Sequence, residues 1–161
     1  MPTHFIFIGN PGSGKATLLN ILCNGDHFDG GPSVGTGLTG EFIAKKYGDI
    51  TYMDTPGLND VDDEKRAAAC QALAALLKGG GGFKVIFVLG SSCGCLLSYD
   101  VQDMRMVLDL VPAITMNNFG IIINKVDERT MQFLETAPDS GAPLQLPVSY
   151  THLTLPTKRI V

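Results

Sequence analysis

Gly9-Asn10-Pro11-Gly12-Ser13-Gly14-Lys15-Ala16 stands between an apolar run, Phe5-Ile6-Phe7-Ile8, and a segment with Leu18, Leu19 and Leu22 at helical spacing. The pattern G-x-x-x-x-G-K between a strand and a helix is that of a loop built to cradle phosphates. Its glycines, Gly12 and Gly14 among them, let the backbone curl so that several amides, with those of Asn10 and Ser13, face the ligand. The helix that opens at Lys15 adds partial positive charge at its N-terminus. Lys15 supplies a mobile ammonium for the outer phosphates, and a glycine turn with a surface lysine is the alternative.

On either side of this loop, Phe5 to Ile8 reads as a strand buried on both faces and Lys15 to Cys23 as a helix. Asn24 to Gly40 is polar and glycine-rich, which predicts a long mobile segment. Glu41 to Tyr47 and Ile50 to Asp54 are strands separated only by Gly48-Asp49, too short a link for a parallel crossover, so they form an antiparallel hairpin. Asp62 to Lys78 is a helix with Asp62, Asp63 and Glu64 at its positive end, and Gly79 to Gly82 ends it as a loop. Val85 to Leu89 is a strand, Ser98 to Val111 an amphipathic helix closed by Pro112, and Ile121 to Ile123 another buried strand. Strands alternating with helices imply an α/β fold of three layers, a mainly parallel sheet covered on both faces with one antiparallel edge strand from the hairpin.

A chain of 161 residues fits a single domain with a real core. Its formal net charge of −4, without any block of lysine or arginine, argues against binding nucleic acid or an anionic membrane, since both require clustered positive charge. Cys23, Cys70, Cys93 and Cys95 suggest no disulfide framework: Cys93 and Cys95 are too close for an ordinary bridge and lack a second pair for zinc. Reduced thiols and a cytoplasmic location are expected. The N-terminus has no basic leader or cleavage site, and no apolar run approaches the roughly 20 residues that span a bilayer.

One position of the loop departs from its pattern. A hydroxyl residue after the lysine would ligate magnesium, but Ala16 stands there, and Thr17 lies roughly 100° further round the helix. Weakened magnesium binding is the expectation. Asp54-Thr55-Pro56-Gly57 ends a strand, where Asp54 can hold a magnesium-bound water and the Gly57 amide can meet a γ-phosphate. Between the first helix and the hairpin, Thr39 is the choice for a threonine that covers the metal, with Thr36 the alternative. Asn124-Lys125-Val126-Asp127 follows another strand. Asp127 would accept hydrogen bonds from guanine N1–H and N2–H₂, a donor pair adenine lacks, while Asn124 braces the site and the Lys125 stem lies along the base. Phe28 is read as a core residue in preference to a base-stacking one.

Taken together, these motifs resemble the GTPase superfamily over about residues 4 to 127. Asp54-Thr55-Pro56-Gly57-Leu58-Asn59-Asp60, with Gly37-Leu38-Thr39 ahead of the hairpin, looks like the group of septins, chloroplast-import receptor GTPases and immunity-associated GTPases. The resemblance implies GTP and GDP as ligands with Mg²⁺, phosphate contacts by Gly12 to Thr17, magnesium-side roles for Thr39 and Asp54, and base recognition by Asn124 and Asp127. Small GTPases of the Ras type carry a glutamine where Leu58 stands, and leucine cannot orient an attacking water. The expected function is a guanine-nucleotide switch with slow hydrolysis that depends on an activating protein or a homodimer. A nucleotide-bound scaffold without catalysis is the alternative, and an ATP-hydrolysing protein is disfavoured by Asn124 and Asp127.

Residues 148–157 look like one translated reading frame of a library-preparation adapter. The expectation is a G domain over residues 1–147, incomplete at its C-terminus, with residues 148–161 as a non-native tail; a real C-terminal extension is the alternative. On that reading Tyr150 and His152 carry no functional weight, the family's last guanine loop is absent, and a membrane anchor could lie in the missing part.

Overall fold

Alternation along two central strands sets the layering. In β1 (Thr3–Ile8), Ile6 and Ile8 pack in one cluster and Phe5 and Phe7 in another. In β4 (Gly82–Ser92), Val85, Phe87 and Leu89 share the first cluster, and Ile86 and Val88 the second. Side chains two apart point to the same face of a strand, so both strands are covered on both sides. The computed structural model describes residues 3–25, 28, 43–55, 63–78, 82–128, 131–132, 144–147 and 152–155.

The element order continues with α1 (Lys15–Leu22), β2 (Ile43–Tyr47), β3 (Ile50–Asp54) and α2 (Asp63–Lys78) ahead of β4. After it come β5 (Cys95–Leu96), α3 (Ser98–Leu110), β6 (Phe119–Asn124), β7 (Leu144–Pro147) and β8 (His152–Leu155). The sheet runs β2-β3-β1-β4, with β6 on the far side of β4. Neighbours β3, β1, β4 and β6 are parallel, and β2 pairs antiparallel with β3. Cys70 and Leu73 of α2, with Val101, Met104 and Val107 of α3, fill one face. Leu19 of α1 and Cys23 just after it, with Phe28 and Tyr52, fill the other. This is the expected three-layer α/β arrangement.

Two readings need correction. Gly82 opens β4 instead of ending a loop, and β4 extends through Ser92, well beyond Val85 to Leu89. Pairing with β1 on one side and β6 on the other supplies ladder partners that outweigh the poor strand preference of Gly82 and Gly90. The second is β5, which had no counterpart in the sequence reading: Cys93-Gly94 turns the chain so that Ser91 and Ser92 pair with Leu96 and Cys95. All four cysteines are free thiols. Phe28 is buried and is held by Asn20, whose Nδ2 donates to Phe28 O (2.8 Å) and whose Oδ1 accepts from Phe28 N (2.7 Å), so the core reading holds. β7 and β8 form a separate antiparallel pair that joins residues on both sides of position 147.

Candidate nucleotide-binding site

Three strand ends converge at the C-terminal edge of the parallel sheet, where open α/β sheets take their ligands. β1 delivers the loop from Gly9 to Gly14, β3 delivers Asp54, and β6 delivers Asn124. Phe7 stands opposite Asp54 in the register, so the end of β3 lies beside the start of the loop. Thr55 fastens that junction, donating from both its amide (3.2 Å) and its hydroxyl (2.9 Å) to Phe7 O.

Inside the loop, Ser13 N donates to Asn10 O at 3.0 Å, and Gly12 and Gly14 take positive φ of 78° and 95°. Gly14 is the residue ahead of α1, and a Cβ there would collide with Asn124 Nδ2 as well as strain the backbone. The first amides of a helix have no acceptor within it, so the start of α1 presents donors to an anion. Lys15 is buried and bonds Gly9 O at 2.7 Å through Nζ, which stands 3.9 Å from Asp54 Oδ1. Burial lowers the Lys15 pKa, while Asp54 and Asp100 pull the other way. Burial likewise raises that of Asp54, against the pull of Lys15 and the Thr55 amide.

Asp54 Oδ1 and Ser13 Oγ are buried and make no hydrogen bond among the described residues. Both belong to the residues expected to face phosphate and metal, and both are unsatisfied polar atoms of the kind a bound ligand would satisfy. At position 16 the alanine packs against the cluster of Phe7 and Leu19, and Thr17 is exposed. The residues fit magnesium in part: Asp54 offers a carboxylate, whereas the side chain at position 16 has no oxygen and that of Thr17 is exposed. Bound there, the ion would neutralise charge on the outer phosphates.

Asn124 connects the end of β6 to the loop after β1. Its Nδ2 donates to Ser13 O at 2.9 Å, and its Oδ1 accepts from Lys125 N at 2.8 Å. Lys125 sits at φ 59°, exposed, and Asp127 is exposed at the start of a helical turn in which Met131 N donates to Asp127 O at 2.9 Å. Thus Asn10, Gly12, Ser13, Gly14, Lys15, Asp54 and Asn124 share one edge, and Asn124 reaches the loop directly. Thr39, its alternative Thr36, Gly57 and Leu58 lie outside the described residues. Sequence reading missed Asp100, Asp103 and Gly90, which contact Asn10 or each other. The one signal available was two aspartates three apart on α3, on one helix face.

A family model described as 50S ribosome-binding GTPase matches residues 4–125. The chain belongs to this GTPase family. GTP is accordingly its ligand, and the expectation drawn from the motifs is borne out at that level. No curated protein matches the chain. Solved structures similar to this GTPase domain include the G domain of the T. maritima FeoB iron transporter, 19% identical, covering 82% of this chain and 81% of that one, with a TM-score of 0.46. Toc33 from Arabidopsis thaliana, a dimerization-deficient mutant, is 13% identical over 76% of this chain and 70% of that one (TM-score 0.44). A probable GTP-binding protein engB is 10% identical over 82% and 95% of the two chains (TM-score 0.42).

Proposed function

We propose that this GTPase-family domain is a guanine-nucleotide switch whose own hydrolysis of GTP is slow and is completed by an activating protein or a second copy of the chain. The observation that supports the nucleotide reading is the hydrogen bond between Asn124, the first residue of the motif read as guanine-binding, and Ser13 of the phosphate loop. Lys15, with Gly12, Ser13 and Gly14, takes the phosphates, and Asp127 reads the base with Lys125 along it. Slow hydrolysis follows from Leu58, which cannot bond to a water, and from the missing hydroxyl at Ala16, which weakens Mg²⁺. Thr39 and Gly57 complete the switch in this reading, and the location is cytoplasmic.

A second reading, a nucleotide-bound scaffold without catalysis, is favoured by the inward packing of Ala16 and the exposure of Thr17. Competition of GDP and ADP for a fluorescent guanine nucleotide tests the ligand: GDP displaces and ADP does not. Single-turnover hydrolysis at rising protein concentration then separates the readings. A rate that climbs with concentration supports the switch, and none at any concentration supports the scaffold. Fast turnover by the dilute chain contradicts both.

A further inference from the structure

Asn10, the second residue of the phosphate loop, is 3% exposed, and it meets α3 through its side chain. Its Nδ2 donates to Asp100 Oδ1 at 2.8 Å and to Asp103 Oδ2 at 2.7 Å. Ionised carboxylates only accept, so both amide hydrogens are directed at α3 and the orientation of the Asn10 amide is fixed by chemistry. Asp100, also 3% exposed, uses its other oxygen to accept from Gly90 N at 2.6 Å. Gly90 is the β4 residue opposite Asn124 in the β4–β6 register.

From these contacts we infer that Asp100 and Asp103 are positioning residues that set the phosphate loop through Asn10 and tie it to the base-recognition strand. The loop is held at two points. Asn10 is anchored on α3 by its side chain, while its carbonyl closes the turn by accepting from Ser13 N. Ser13 O is held in turn by Asn124. Asp100 then closes the circuit by bonding the β4 amide beside Asn124. A ligand pulling on the loop amides therefore works against α3, β4 and β6 together.

A buried carboxylate and a half-buried one around a single neutral amide are costly to desolvate, which makes an idle contact hard to account for. Burial raises the Asp100 pKa, opposed by the Gly90 amide and Asn10, reinforced by Asp103 and opposed by Lys15. Asp100→Asn keeps an oxygen for Gly90 N. The new amide then faces Asn10 donor to donor, and flipping Asn10 would set its oxygen against Asp103. One bond of the pair is lost on either arrangement.

The inference rests on the guanine-nucleotide reading for its ligand, so the test has one arm without nucleotide. In the first arm, hydrogen exchange of the Ser13 amide, which donates to Asn10 O, is followed in the nucleotide-free full chain. D100N, and more mildly D103N at the less buried carboxylate, should speed it by about 10-fold relative to the parent, the loss expected for one charge-assisted hydrogen bond. In the second, GDP and GMP affinities are compared: GDP should weaken by about 10-fold in D100N while GMP, with a single phosphate, changes far less. Unchanged exchange in both variants overturns the clamp. Faster exchange with equal losses for GDP and GMP overturns its role in gripping phosphate, because general destabilisation affects both ligands alike. Should the parent chain bind no GDP, the proposed function fails while the exchange arm still decides whether α3 holds the loop.

Discussion

At Asp54 a buried carboxylate oxygen stands 3.9 Å from Lys15 Nζ without a hydrogen bond. Desolvation is the leading influence on both partners, raising the Asp54 pKa and lowering that of Lys15, so their attraction does not offset the loss of water. A carboxyl whose folded pKa is raised favours the fold below its unfolded pKa, and loses that contribution as pH rises through the folded value. At neutral pH the ionised group is therefore a cost. D54N in the nucleotide-free chain should raise unfolding stability at pH 7 by about 1–3 kcal/mol, with the gain shrinking as the solution is acidified. Chemical denaturation at several pH values measures this, and a less stable D54N would show that the pair is net favourable. Position 16 gives the complementary case. A16S returns the missing hydroxyl and should increase the magnesium dependence of GTP affinity by about 10-fold. Calorimetry with and without Mg²⁺ reads it, and no gain would mean that the serine oxygen does not reach the ion.

Among the elements, the junction of the loop with α1 is the most constrained by its neighbours. Gly14 holds φ 95°, and a Cβ there meets the Asn124 side chain that braces Ser13 O. G14A should cost about 1–3 kcal/mol from backbone strain alone and should abolish tight GDP binding. Thermal unfolding and fluorescent-nucleotide titration check both parts; retained tight binding would mean that the Asn124 contact is dispensable. The loop itself was legible in the sequence, because G-x-x-x-x-G-K needs only local spacing to be recognised. So was the β2–β3 hairpin, since Gly48-Asp49 is too short for any crossover. The full length of β4 was not legible. Gly82, Gly90, Ser91 and Ser92 become strand residues through their pairing with β1, β6 and β5, and no local preference announces those partners. The anchoring of Asn10 on α3 was hidden for the same reason, being a contact across 90 positions of sequence.

For the molecule as a whole, the question is how much of the chain the fold requires. The family match ends at residue 125, and beyond it β8 pairs antiparallel with β7. A two-stranded hairpin is marginal by itself in water. Shortening the chain to residues 1–147 should therefore change unfolding stability by less than about 1 kcal/mol, the range of changes away from a core. Comparing denaturation midpoints tests this, and a larger loss would make the terminal residues part of the fold.

The phosphate loop, the strand and helix alternation, the antiparallel edge and the Asn124-Lys125-Val126-Asp127 pattern were readable in advance, because each is written in spacing over neighbouring residues. So was the chemical departure at Ala16, since a methyl group cannot ligate a metal wherever it points. Packing of distant segments was needed to show that Asn124 holds Ser13 O, that Asp54 is buried beside Lys15 with an oxygen unsatisfied, and that Asp100 and Asp103 hold Asn10. Those contacts depend on which strand ends the sheet order brings together, and burial gives an unpaired oxygen its cost. Both are properties of the packed chain.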